Sequence, residues 1–348
     1  MKTSVCKYLL WALALLLLCQ GAPLNARTRE KKVRRAGTQK LARWQIKPGD
    51  YSGITPVENG LYAVVNDKRN AFELWHILQD SCSGRVLQVE QVTQVALLPD
   101  SGRMDLEAIS WWPERKLLAV TSEQLQTCMT FTPDGEPAAE RWTFDGEAGP
   151  QQIYGNYGFE ALAYDTSQSC FWTCPENRLR TDGLPAGFRC RESARLPLYR
   201  LEKNGTVHRA AFYETDKPKA KHSGKAYCFG VSELCYLPHY GLLVLERELF
   251  VSKHYLHSWA RHKIYRVDEA ELNKANGHIL QKHLVKAFCT RLNPLSYKLA
   301  NYEGLCAGIR LKDGRQTLLL LNDAQSGAGN RFYRLKDYIR VLILPGLK

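Results

Sequence analysis

Short apolar runs recur in pairs along this chain, and a polar residue opens and closes each pair. The copies run from Ser52 to Asp67, Glu107 to Glu123, Glu160 to Glu176, Glu233 to Glu246 and Glu303 to Asp323. Behind the opening residue stands Gly, Ala or Leu, then an apolar stretch, a turn and a second apolar stretch. The midpoint of every copy falls on turn chemistry, most clearly at Asn59-Gly60, a strong two-residue hairpin signal. The stretches are apolar on both faces, as strands buried between neighbouring sheets should be. Two further strand candidates follow each of the three middle hairpins. After Glu123 these are the runs at 128–131 and 140–144, on either side of Pro133-Asp-Gly135.

Four strands per unit, repeated along the chain, predict an all-β fold, a β-propeller of four-stranded blades. The motif count gives five blades, and a sixth, degenerate blade inside a long insertion stays open. The copies begin 55, 53, 73 and 70 residues apart, so the later blades carry longer loops. The run Ala42-Arg-Trp-Gln-Ile46 resembles the outer strand at 140–144 and is expected to complete the last blade. Closure by both chain ends would remove free sheet edges.

A hairpin brings the residue that opens its first strand beside the one that closes its second. On one propeller rim the repeat would therefore gather Glu107, Glu123, Glu160, Glu176, Glu233, Glu246, Glu303 and Asp323. These eight are the candidate metal ligands, because a hard cation such as Ca²⁺ takes several carboxylate oxygens. Glu160 and Glu303 are the candidate catalytic carboxylates, and Arg247 the group that would hold an anion. The plainer reading is that these acids accept loop N–H bonds and only brace each blade. The segment from Lys253 to Lys263 offers His254, His257, Arg261 and His262 to an anionic substrate, although a solvated loop is the preferred reading. No nucleophile elbow, P-loop or dinucleotide fingerprint is present.

The 348 residues carry a net charge of +13, yet residues 1–43 hold ten of the 48 Lys and Arg and one of the 35 acids. The rest carries +4, without a basic stripe interleaved with aromatics, so nucleic-acid binding is not expected. Lys2, Lys7 and the apolar run at 8–19 predict a signal peptide over residues 1–26. A basic linker at 27–43 and one propeller domain at 44–348 would follow. An exported, periplasmic or secreted monomer without a transmembrane segment is expected, and Leu18 before Cys19 speaks against a lipoprotein. Nine cysteines lie beyond the leader. Cys174 with Cys190, or Cys228 with Cys235, are candidate pairs.

Several of these elements keep the order and spacing of a known family. Asp105-Leu-Glu-Ala-Ile-Ser110 with Thr121-Ser-Glu123, Leu243-Val-Leu-Glu-Arg247, and Tyr302-Glu-Gly-Leu305 with Leu321-Asn-Asp323 resemble the phytase-like family, labelled "esterase-like activity of phytase". The resemblance spans roughly residues 44–335. It implies an exported β-propeller that hydrolyses phosphate or other esters, acting on a small anionic or ester substrate. No residue-level catalytic motif carries over, and Ser52 departs from the acidic pattern. A non-catalytic ligand-binding or scaffold propeller is the alternative.

Overall fold

In each inner hairpin an apolar pair sets the register. Ile54 faces Val64, Ile109 faces Val120, Leu234 faces Val244 and Leu305 faces Leu320. In the computed structural model, which describes residues 32–97, 102–144, 146, 149–274, 277–293, 296–329 and 334–346, these hairpins are the inner strands of five antiparallel blades. The leader expected at residues 1–26 lies outside the described residues. No helix among the described residues is long and apolar enough to cross a membrane.

The last blade takes one strand from the start of the chain, β1 (Arg34–Lys40). The first blade contains β2 (Tyr51–Pro56), β3 (Leu61–Asn66), β4 (Ala71–Gln79) and β5 (Val86–Ala96). The second contains β6 (Leu106–Trp112), β7 (Leu117–Ser122), β8 (Thr127–Phe131) and β9 (Pro137–Thr143). The third contains β10 (Ala163–Asp165), β11 (Cys170–Thr173), β12 (Arg195–Leu201) and β13 (Val207–Glu214). In the fourth, β14 (Ala226–Leu237), β15 (Gly241–Val251), β16 (Trp259–Val267) and β17 (His283–Asn293) are followed by a two-residue strand, β18 (Ser296–Tyr297). The fifth is built from β19 (Asn301–Arg310), β20 (Gln316–Asp323) and β21 (Tyr338–Ile343), with β1 outermost.

Turn chemistry fits the hairpins. Asn59 and Gly60 have φ of 54° and 76°, and the Leu61 N–H closes the turn onto the Glu58 carbonyl. Two successive positive φ values are what a type I′ turn requires.

One apolar cluster fills each gap between adjacent blades. Phe72 meets Trp111 and Val120 between the first and second blades. Trp112 and Trp142 pack with Phe171 in the next gap, with ring centroids 5.4 and 5.3 Å from it. Trp172 and Tyr213 join Val231 and Val244 between the third and fourth. Leu243 and Leu245 meet Leu318 and Leu320 between the fourth and fifth. Leu319 and Val341 close the ring against Val64 and Trp75. Inner strands are therefore buried on both faces, which explains their apolar runs.

Two expectations need correction. The outer strand of the fifth blade is β1, which pairs with β21, and not the Ala42–Ile46 run. Leu41 is fully buried and starts a 3-10 turn that ends the strand. The chain therefore enters the blade by Arg34, within the segment expected to be a basic linker. Secondly, all nine thiols among the described residues are free. Cys228 and Cys235 lie on the same strand, roughly 23 Å apart at ~3.3 Å per residue, whereas a disulfide needs Cα atoms within ~7 Å. Cys174 sits in the core, while Cys190 contacts Arg178.

β1 covers the hydrogen-bonding edge of β21. A chain begun at Leu41 should aggregate and melt roughly 5–10 °C below one begun at Val33, since each kcal/mol shifts Tm by ~2–4 °C at this size. Calorimetry and light scattering of the two truncations check this.

Candidate functional site

Four of the five inner hairpins, those of the first, second, fourth and fifth blades, carry a bulge at their opening, which decides which residues reach the channel mouth. Counting two residues back from the register pair gives Ser52, Glu107, Ser232 and Glu303 as opening positions. Counting three residues on from its partner gives Asp67, Glu123, Arg247 and Asp323 as closing positions. The third hairpin pairs from Ala163–Trp172 without a bulge, and Glu160 and Glu176 lie just outside its paired residues, where both accept from Arg247. The mouth thus holds seven carboxylates, with Arg247 at the acidic position of the fourth blade.

Arg247 is 6% exposed and spans three blades. Its Nη2 donates to Glu160 Oε2 at 2.8 Å and to Glu176 Oε1 at 2.9 Å, and its Nη1 to Glu303 Oε1. Asn301 donates to the same Glu303 oxygen at 2.7 Å. Gly230 lets the fourth blade approach Glu176, since a Cβ there would lie 2.0 Å from the Glu176 carbonyl oxygen. The Val231 N–H then donates to that oxygen at 3.0 Å. All three proposed catalytic residues, Glu160, Glu303 and Arg247, therefore meet at one point, and Glu176 joins them.

Burial dominates the proton affinities. It raises the Glu176 carboxyl to about 7 against the pull of Arg247. It pushes Glu160 and Glu107 well above the usual carboxylate range, with neighbouring carboxylates adding to the effect. Glu123 is raised by burial too, although its Oε1 accepts the Gly158 N–H at 3.1 Å. Asp323 rises to about 7, through burial and then the charges of Asp67 and Asp50. Like charges in a desolvated funnel take up protons.

Two of the eight candidate ligands do not belong to this mouth. The fourth copy was read one residue out of register, and a one-residue slip turns side chains to the other face. Glu233 instead accepts the backbone N–H groups of Leu162 and Leu234, at 3.0 and 2.9 Å. Glu246 accepts from Tyr213 Oη at 2.8 Å and Lys282 Nζ at 2.6 Å, against the third blade. Ser52 donates to the Leu106 carbonyl at 2.7 Å, bracing the first blade against the second. Among the described residues no group of three or more His, Cys, Asp or Glu stands at metal-holding spacing. Arg247 already occupies three of the seven carboxylates at the mouth, Glu160, Glu176 and Glu303.

Only the first half of the basic segment after β15 is a loop, with His254 and His257 exposed in it. Arg261 and His262 lie in β16, where Arg261 Nη1 pairs with Glu248 Oε2 at 3.1 Å. His262 is buried, accepts the Tyr302 N–H at 2.9 Å, and burial holds its pKa well below the ordinary histidine value.

A family model described as "Esterase-like activity of phytase" matches residues 46–324. This chain belongs to the phytase-like family. Among solved structures, the phytase-like chain is similar to a luciferin-regenerating enzyme at 13% identity and a TM-score of 0.44, covering 89% of this chain and 97% of that one. It is also similar to the PQQ-bound aldose sugar dehydrogenase of Streptomyces coelicolor, at 12% identity and a TM-score of 0.37, over 88% and 98% of the two chains. A virginiamycin B lyase from Staphylococcus aureus shows 10% identity and a TM-score of 0.36, over 84% and 71%. No curated protein matches by sequence.

The raised carboxyls give this phytase-like protein a pH-dependent stability. Glu176, Asp323 and Asp337 all rise to about 7 on folding, from unfolded values near ~4. The folded state therefore keeps protons that the unfolded chain releases, so this stabilisation is complete below ~4 and fades as pH rises through ~7. Scanning calorimetry should give a lower Tm at pH 8 than at pH 5, and Asp337→Asn should reduce the difference. Arg247→Gln leaves buried carboxylates without their cation and should cost about 3–5 kcal/mol at pH 8. The cost should shrink at pH 5, where the acids are protonated. Denaturant unfolding at both pH values measures it.

Proposed function

We propose that this phytase-like propeller is an exported ester hydrolase that moves protons through the Glu160–Glu176 pair. The observation that carries the reading is that both carboxyls share one guanidinium nitrogen of Arg247, with Glu176 poised near 7. A carboxyl whose pKa lies near the working pH serves as both acid and base.

Glu160 is the member that faces the mouth, with 12% of its side chain exposed against 1% for Glu176. Glu160 takes the proton from an attacking water as the water oxygen bonds to the ester carbon or phosphorus. The bond to the leaving oxygen breaks, and that oxygen takes a proton from the carboxyl pair. Arg247 keeps the second carboxyl charged while the first is protonated, and Glu303 fixes the guanidinium from the adjacent fifth blade. Arg247 is a positioning residue here, because three carboxylates already use its donors. The excess acid at the mouth repels an anionic reacting group, which favours a neutral ester or one whose charges are held elsewhere.

Generic carboxylic and phosphate esters serve as substrates for the test. Glu160→Gln should lower kcat about 10²–10⁴-fold, the usual range for lost acid–base catalysis. Wild-type activity should rise through an inflection near the value of Glu176, about 7, and should persist in chelator. Absent turnover, or turnover unaltered by Glu160→Gln, would overturn the hydrolase reading.

A further inference from the structure

Arg247 divides the acids at the channel mouth unevenly. It holds Glu160, Glu176 and Glu303, from the third and fifth blades. Asp67, Glu107, Glu123 and Asp323, from the first, second and fifth, receive none of these hydrogen bonds. Among the described residues the one cation paired with any of these four is Lys68, on Asp67, and half of its side chain is in water. Glu107 has no hydrogen-bonded or ion-paired partner among the described residues. Burial raises its proton affinity, and the charges of Glu123 and Asp67 raise it further. Protons therefore hold down the excess negative charge here. A cation does the same in their place, because opposite charge within ~4–6 Å favours the ionised form of an acid.

Two features beside the acids point to an organic cation. Asn301 faces Asp323 across the β19–β20 pair and is 6% exposed. Its amide nitrogen donates to Glu303, while its Oδ1 is buried without a donor. An acceptor left so is costly, and positive charge at the opening relieves it. Tyr157 is half-buried at the same opening. The residue after it, Gly158, donates to Glu123, and the charges of Glu176, Arg247 and Glu160 act on the Tyr157 hydroxyl. Aromatic rings are the surface on which quaternary ammonium groups rest. The acids ring an opening and do not converge on one point, since among the described residues no three stand at metal-holding spacing. That arrangement suits a broad cation. A basic cleft of about 1300 Å³ between the fourth and fifth blades carries the opposite sign, lined by several lysines and arginines and, among the described residues, by no acid.

We propose that the mouth holds an ammonium group among Asp67, Glu107 and Asp323, and that its substrate is an ester bearing that group. The ester half rests on the hydrolase reading above; the ammonium half does not. The ammonium anchors the substrate while the ester group lies at the Glu160–Glu176 pair. Glu160 takes a proton from water, whose oxygen bonds to the ester carbon. The bond to the alcohol oxygen breaks, and that oxygen leaves with a proton from the carboxyl pair. The acid released ionises and is repelled by the mouth.

Acetylcholine and 3,3-dimethylbutyl acetate have nearly the same shape and differ by one charge, so they serve as the test pair. At pH 8 and low salt, kcat/KM for acetylcholine should exceed that for the neutral ester about tenfold or more, the worth of one favourable charge contact. Glu107→Gln and Asp67→Asn should each reduce that ratio. Isothermal titration of the wild-type protein with choline and with 3,3-dimethylbutanol reads the ammonium site without turnover, and choline should bind about tenfold more tightly or better. Tighter choline binding with neither ester hydrolysed would uphold the ammonium site and overturn the hydrolase reading. Equal binding of the two alcohols, or a ratio of kcat/KM near one, would overturn the ammonium site even where both esters are hydrolysed.

Discussion

The register of the inner hairpins is the constraint on which the rest depends. An apolar pair in each hairpin must point into the gap between blades, and the bulge before it then fixes which polar residues reach the mouth. In the fourth blade that rule delivers Ser232 and Arg247, not the neighbouring Glu233 and Glu246. One strand slip separates a ring of acid alone from a ring organised around a guanidinium. The hydrophobic gaps therefore decide the electrostatics of the channel, although no apolar residue takes part in the chemistry.

Arg247 works against a desolvation cost. A buried ion pair is seldom a net source of stability, yet removing one partner leaves a buried charge exposed to that cost in full. Here one cation meets three carboxylates, and the raised proton affinities of Glu160 and Glu176 show that it does not neutralise them all. The site settles the difference with protons. That makes the mouth responsive to pH in the neutral range, which a fully balanced salt-bridge network would not be. The same protons that stabilise the fold are those available for transfer.

The blade count and the inner hairpins were legible, because double-sided burial writes long apolar runs into the sequence and turns punctuate them. Glu160, Glu303 and Arg247 were legible as one cluster, because a hairpin must bring its ends together. The bulge was not. Opening residue Glu233 looked like Glu107 and Glu303, and only backbone pairing shows that it sits one position late. Nor was β1 legible: its exposed, polar Arg34–Lys40 has the composition of a solvated tail, and only pairing with β21 makes it a strand. An edge strand gains from charge, which discourages pairing with other chains, so the feature that protects it also hides it. The basic cleft escaped notice for a related reason. Its cations come from at least three distant stretches of sequence, and no local charge run announces them.

The sequence cast Arg247 as the anchor for an anionic group, and the geometry divides that role from the acid–base role. Its donors are taken by Glu160, Glu176 and Glu303, so an anion at the mouth would have to displace a carboxylate that lies within hydrogen-bond distance. Seven acids in the same funnel oppose that exchange at any pH where most of them are charged. The cavity between the fourth and fifth blades has the reverse character: among the described residues several lysines and arginines line it and no acid does, and the buried Arg340 lies 4.0 Å from the Phe288 ring centroid. Over the few ångströms that matter for charge in a low-dielectric cavity, each region repels what the other attracts. The propeller keeps the two sets of charge distinct because the acids of the mouth come from the inner hairpins, while most cations of the cavity come from β1, β17, β21 and the stretch before β21, even though Ala226, Val251 and Tyr302 of inner strands share its wall.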